Sequence, residues 1–166
     1  MNFDEICNVI RKDITEDFTS YVQFGCNFLV TSRNCFKDII KKLRDSFTFE
    51  YLVDIVGVHY PDNSKYPFEV VYNQYSITNN IRVLLKVPLK DENIETVTDL
   101  YKSAMFLERE QYDMVGIKFI GHPDLRRILM PDFFKKHPLR KDFDLKDRSW
   151  YNDADEQGLG IKYKNL

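Results

Sequence analysis

The chain has 166 residues and 43% hydrophobic side chains, with 24 Lys and Arg against 26 Asp and Glu for a net charge of −2. Folding a chain of this length removes roughly 70% of its extended surface from water, enough for one domain with a real core. Six glycines and six prolines exclude collagen-like and low-complexity classes, the near-balanced charge argues against a general nucleic-acid binder, and three cysteines without a C-x-x-C pair hold neither a disulfide scaffold nor a cluster or zinc cassette.

In chain order, residues 3–14 read as a short helix with Phe3, Ile6, Val9, Ile10 and Ile14 on one side. The acidic N-terminus lacks the pattern of a targeting segment. The longest uncharged stretch, Phe18 to Ser32, has fifteen residues; a helix needs about twenty apolar ones to cross a bilayer. A soluble chain with no membrane span is expected. Residues 23–31 read as a strand, and Ser32 as the N-cap of an amphipathic helix carrying Phe36, Ile39, Ile40, Leu43 and Phe47.

Residues 51–60 are apolar almost throughout, as in a central strand covered on both faces. Residues 68–77 and 81–87 alternate with period two around Thr78-Asn79-Asn80, which predicts an antiparallel hairpin. Residues 103–115 predict a further helix stopped by Gly116. The fold class is α+β: a mixed or antiparallel sheet of about four strands backed by helices.

From Gly121 the character changes. Pro123, Pro131 and Pro138 forbid a long helix or a central strand, yet Leu125, Ile128, Leu129, Phe133, Phe134, Leu139, Phe143, Trp150 and Tyr151 remain. Residues 1–120 therefore read as the α+β domain and 121–166 as an extended strap, laid partly on that domain and largely on another protein.

Catalytic chemistry is thinly represented. Neither a phosphate-binding glycine loop nor a nucleophile elbow is present, and the one G-x-G, Gly158 to Gly160, reads as a loop. His59, His122 and His137 lack ligand-like spacing and suit hydrogen-bonded structural roles. Asp54 would be perturbed if buried without a partner, but a hydrogen-bonded structural carboxylate is the plainer reading. Between 121 and 142, six basic residues face three acids, with Leu, Ile and Phe between them. That mixture suits a protein–protein interface.

Three long motifs sharpen this reading: ERE-x-Y-DM-x-G from Glu108 to Gly116, GHPDLRRILMPD from Gly121 to Asp132, and HPLRKDF from His137 to Phe143. In this order they resemble the signature of the C subunit of respiratory complex I, the proton-pumping NADH–quinone oxidoreductase. The strands at 51–60 and 68–73 resemble that family too. Met105-Phe106 stands where the family usually has Asn-Trp.

The resemblance implies a non-catalytic member of the peripheral arm that carries no cofactor, the FMN and iron–sulfur clusters lying on other subunits. It implies two neighbours as partners, the quinone-site (D) and terminal-cluster (B) subunits. It also implies a peripheral position on the cytoplasmic face of the bacterial inner membrane, or on the matrix side in a mitochondrion. A scaffold subunit of a related hydrogenase or of a ferredoxin- or F420-linked dehydrogenase is the alternative. With no catalytic residue expected, the candidate interface comprises Glu108, Arg109, Glu110 and Asp113 at the start of the strap. Along it follow His122, Asp124, Leu125, Arg126, Arg127, Ile128, Leu129, His137, Leu139, Arg140, Lys141 and Asp142. In that scheme the first four organise the entry to the strap, Arg126, Arg127, Arg140 and Lys141 anchor it, and Leu125, Ile128, Leu129 and Leu139 supply buried area.

Overall fold

The structure, a computed structural model, describes residues 2–146. The remainder of the expected strap, 147–166, with Trp150, Tyr151 and the Gly158–Gly160 loop, lies outside the described residues.

Helix α1 (Phe3–Asp13) begins with a reciprocal cap: Asn2 Oδ1 accepts from the Glu5 N–H and the Glu5 carboxylate accepts from the Asn2 N–H. Ile6, Cys7 and Ile10 face the core. The strand expected at 23–31 is present from Cys26, as the second arm of a hairpin whose first arm the sequence reading lacks. β1 (Phe18–Gln23) pairs antiparallel with β2 (Cys26–Thr31) across Phe24 and Gly25, both at positive φ. Helix α2 (Phe36–Phe47) buries the five apolar residues predicted from its periodicity. Its N-cap is Cys35 rather than Ser32, and no side chain caps it.

β3 (Tyr51–His59), β4 (Phe68–Ser76) and β5 (Ile81–Leu89) complete a sheet ordered β1-β2-β5-β4-β3, antiparallel throughout except for the parallel β2–β5 pair. The fold is α+β with a mixed sheet, as expected, but with five strands in place of about four. Asn80 supplies a left-handed residue at the β4–β5 turn. The sequence pattern makes β3 central; it is an edge strand.

The reason is local. A bulge between Leu52 and Asp54 turns both Leu52 and Ile55 to the core. Gly57 leaves room for Ile117, whose Cδ1 would lie 2.5 Å from an added Cβ. The edge is also capped: the Gly57 N–H donates to Gln111 Oε1 at 2.9 Å. Thus the strand looks central in sequence because one side meets helix α3 (Ala104–Val115) and its other side carries valines.

Leu29, Val70, Tyr72, Val83, Leu85 and Val87 line one sheet face and join α1 and α2 in a single core, with the Phe36 and Tyr72 rings stacked. Each such buried aliphatic side chain contributes roughly 1.5–3 kcal/mol. Two three-residue strands escape the sequence reading, β6 (Asn93–Glu95) and β7 (Lys118–Ile120), which pair in parallel. They bracket α3 and fix both of its ends. Gly116 stops α3 as predicted, at φ 87°, and a Cβ there would collide with the His137 ring.

Candidate functional site

Helix α3 presents two carboxylates inward. Glu108 is fully buried: its carboxylate accepts from the Thr96 hydroxyl at 2.6 Å and from the Val97 N–H at 2.7 Å, holding the β6–α3 connection. Burial pushes its carboxyl up to about 7 against the pull of those two bonds.

Asp113, one and a half turns further on, is also fully buried. Its Oδ2 accepts from three successive backbone N–H groups, Ile128, Leu129 and Met130, at 3.0, 2.7 and 2.9 Å. Its Oδ1 meets the Arg127 guanidinium at 2.5 Å. Burial works to raise the Asp113 carboxyl, but the three amides and Arg127 outweigh it and hold the group below the usual carboxylate range.

Around this centre the strap is bonded to its own domain. Arg109 donates to the carbonyls of Arg126 and Arg127, and Arg127 also donates to the Lys136 carbonyl. His122 bridges the Met105 carbonyl and the Asp124 N–H. His137 Nδ1 donates to the Asp113 carbonyl, and the Leu139 N–H donates to the Met114 carbonyl. Arg140 reaches Glu92 and Asp142, and the Lys141 N–H donates to His59 Nδ1.

These contacts show where each residue of the expected interface sits in this chain alone. Glu108 and Asp113, expected there, both face inward and organise the segment from beneath. Arg109 and Arg127 bond this chain's own backbone and Asp113. Arg126 is largely exposed and pairs with Asp124 two residues away, and Glu110 points to solvent.

The apolar residues divide in the opposite sense. Leu125 packs partly on the core, whereas Ile128 is 38%, Leu129 61%, Leu139 61% and Leu145 83% exposed, and Phe106 at the start of α3 is 63% exposed. A rigidly seated backbone therefore holds leucines outward. Asp54, the carboxylate singled out within β3, accepts from the Ile55 N–H and serves the bulge. His59 is a hydrogen-bonded structural histidine as expected, holding the Lys141 amide, whereas sequence reasoning misses Gln111 and Thr96, each on another element than the group it holds. Among the described residues no helix is long and apolar enough to cross a membrane.

Residues 29–149 match the family described as the respiratory-chain NADH dehydrogenase 30 kDa subunit. This chain belongs to that family. The match runs from within β2 into the strap and includes every residue of the site just described. A relative from Wolbachia sp. subsp. Brugia malayi, named as the C subunit of NADH-quinone oxidoreductase, is 51% identical over 147 residues, 86% of this chain and 75% of its own. The chain spans only 40–50% of the length of some other curated relatives it matches.

Among solved structures, a trypsin-resistant fragment of Nqo5 superposes with a TM-score of 0.65 at 34% identity, covering 75% of this chain and all of the fragment. A chain of an archaeal membrane-bound sulfane sulfur reductase, a respiratory membrane complex, gives a TM-score of 0.70 at 21% identity over 95% of this chain and 91% of that one. At that identity the second likeness speaks for the fold alone.

Proposed function

We propose that this chain is a structural, non-catalytic subunit of the peripheral arm of a proton-translocating NADH–quinone oxidoreductase. In this role it supports electron transfer from NADH to quinone by keeping its neighbours, the quinone-site and terminal-cluster subunits, in position. FMN and the iron–sulfur clusters belong to other subunits, and the assembly sits peripherally at the inner membrane, on its cytoplasmic or matrix side.

The observation that carries this reading is the division of labour in 121–146: the buried Asp113 of α3 and the partly buried Arg127 hold the segment's backbone while Ile128, Leu129, Leu139 and Leu145 stand outward. A loop fixed in advance loses little further entropy on docking, so its leucines contribute their burial nearly in full. The titratable groups that could have suggested catalysis are committed to structural bonds: Glu108 to the β6–α3 connection, Asp54 to the bulge and His59 to the Lys141 amide.

The test is a Leu129→Asp/Leu139→Asp double variant. Both side chains are exposed in the chain alone, so its secondary structure and melting are expected to stay unchanged. The assembled complex on a native gel, and NADH–quinone reductase activity, are expected to be lost. Normal assembly with normal activity would overturn the proposal. The fold shared with the archaeal reductase keeps a scaffold subunit of a related respiratory complex as the second reading, and the subunits that co-purify with the chain separate the two.

A further inference from the structure

His59 closes β3 and is 7% exposed, its ring stacked on Phe68 with centroids 4.8 Å apart. Its Nδ1 lies 3.1 Å from the backbone nitrogen of Lys141, eighty-two residues away. A backbone amide can only donate, so Nδ1 must carry the lone pair and the ring must be neutral, with its proton on Nε2. The next acceptor is already in place: the Asp142 carboxylate is 3.8 Å from the same Nδ1.

Two arrangements of this corner are therefore available, and they differ by one proton. We propose that His59 is an acid-sensitive latch for the arm 139–146. Neutral imidazole holds the Lys141 amide; protonated imidazole rejects it, because two N–H groups then point at each other, and binds the Asp142 carboxylate instead. The proton comes from solvent and rests on Nδ1, and no other bond is made or broken covalently.

The other charged groups at this corner favour movement of the arm over movement of the ring. Arg140 lies over the Phe68 ring on which His59 stacks, and it bonds Glu92 and Asp142. Tyr60, Asp62 and Lys141 line the same cleft beside His59, and burial holds the Tyr60 hydroxyl above its ordinary range, so it stays neutral there. When His59 draws Asp142, Arg140 loses one carboxylate partner and keeps Glu92, so residues 140–142 shift together. Leu139 and Leu145 are carried on that arm, and their presentation follows the latch.

The molecule contains its own control. His137 donates from Nδ1 to the Asp113 carbonyl, a bond that a second ring proton leaves intact. Acidification should release the arm near Lys141 while the segment near Asp113 stays seated. The latch belongs to this chain's own fold and holds whether or not the arm meets a partner.

The experiment is an NMR titration of the full chain that follows the His59 ring nitrogens together with protection of the Lys141 amide against hydrogen exchange, corrected for intrinsic rates. The Lys141 amide is expected to lose about tenfold in protection in step with protonation of His59 Nδ1, and the Leu139 amide far less. A His59→Asn variant places an amide oxygen where Nδ1 sits and should make Lys141 protection independent of pH. Lys141 protection that stays constant through the His59 titration, or that falls equally in His59→Asn, would overturn the latch.

Discussion

The sheet domain buries Ile40, Leu43, Leu85 and many like them completely, whereas in 121–146 the one large side chain buried to that degree among the described residues is Phe134. That segment is positioned instead by Asp113, Arg109, Arg127, His137 and His59, nearly all acting on backbone groups. Apolar packing is strong and non-directional, so it stabilises the domain. Charge-assisted hydrogen bonds contribute less net energy but fix geometry, so they aim a segment whose own apolar residues are left for another surface.

Either region can be weakened without the other. Leu85→Ala opens a cavity in the packed region and should cost the whole chain about 2–5 kcal/mol, read by denaturant unfolding, with 121–146 lost in the same transition.

Glu108 is the ion that breaks the pattern by lying beneath the sheet domain's own loop. With its carboxyl raised from 4.5 to about 7 in the folded chain, the native state binds this proton more tightly than the unfolded state. Stability from this group is therefore greatest at acid pH and falls as pH rises from 4.5 through 7, by on the order of 3 kcal/mol. In Glu108→Gln, Oε1 can still accept from the Val97 N–H and Nε2 can donate to Thr96. The wild-type minus variant difference in unfolding free energy should start near zero at pH 5 and grow more negative up to pH 8.

Arg127→Ala acts on the other region. It removes the guanidinium from Asp113 and from the Lys136 carbonyl, and should cost about 2 kcal/mol. Limited proteolysis within 121–146 should accelerate while the melting of the sheet domain barely moves. Arg126→Ala marks the lower limit: its exposed pair with Asp124 is screened by solvent, so the unfolding midpoint should not move measurably.

How much of this is legible in sequence follows from how local each signal is. α2 is readable because five apolar residues recur on one helical face, α3 because Gly116 ends it, and the β4–β5 hairpin because asparagines fill its turn. β1 escapes notice because most of its side chains face solvent at a sheet edge, so its composition carries little hydrophobic pattern. β6 and β7 are three residues each, shorter than any period. The edge position of β3 is hidden because a run of apolar residues reports burial of a strand's faces, not how many neighbours it has.

In the site, the motifs draw attention to Glu108, Arg109, Glu110 and Asp113 together but cannot rank them. Which carboxylate turns inward depends on the phase of α3 against β3 and the strap, a tertiary fact. Within two turns of helix, Glu110 faces water while Glu108 and Asp113 are fully buried.

The central claim is that Asp113 seats the strap by gathering the amides of Ile128, Leu129 and Met130. Hydrogen exchange of the full chain, compared between the wild type and Asp113→Ala, addresses it most directly. The account predicts that these three amides are protected in the wild type and that the variant loses protection there and through 121–146, with β4 and β5 remaining slow. Unchanged protection of the three amides in the variant, or a uniform loss across the whole sheet, would contradict it.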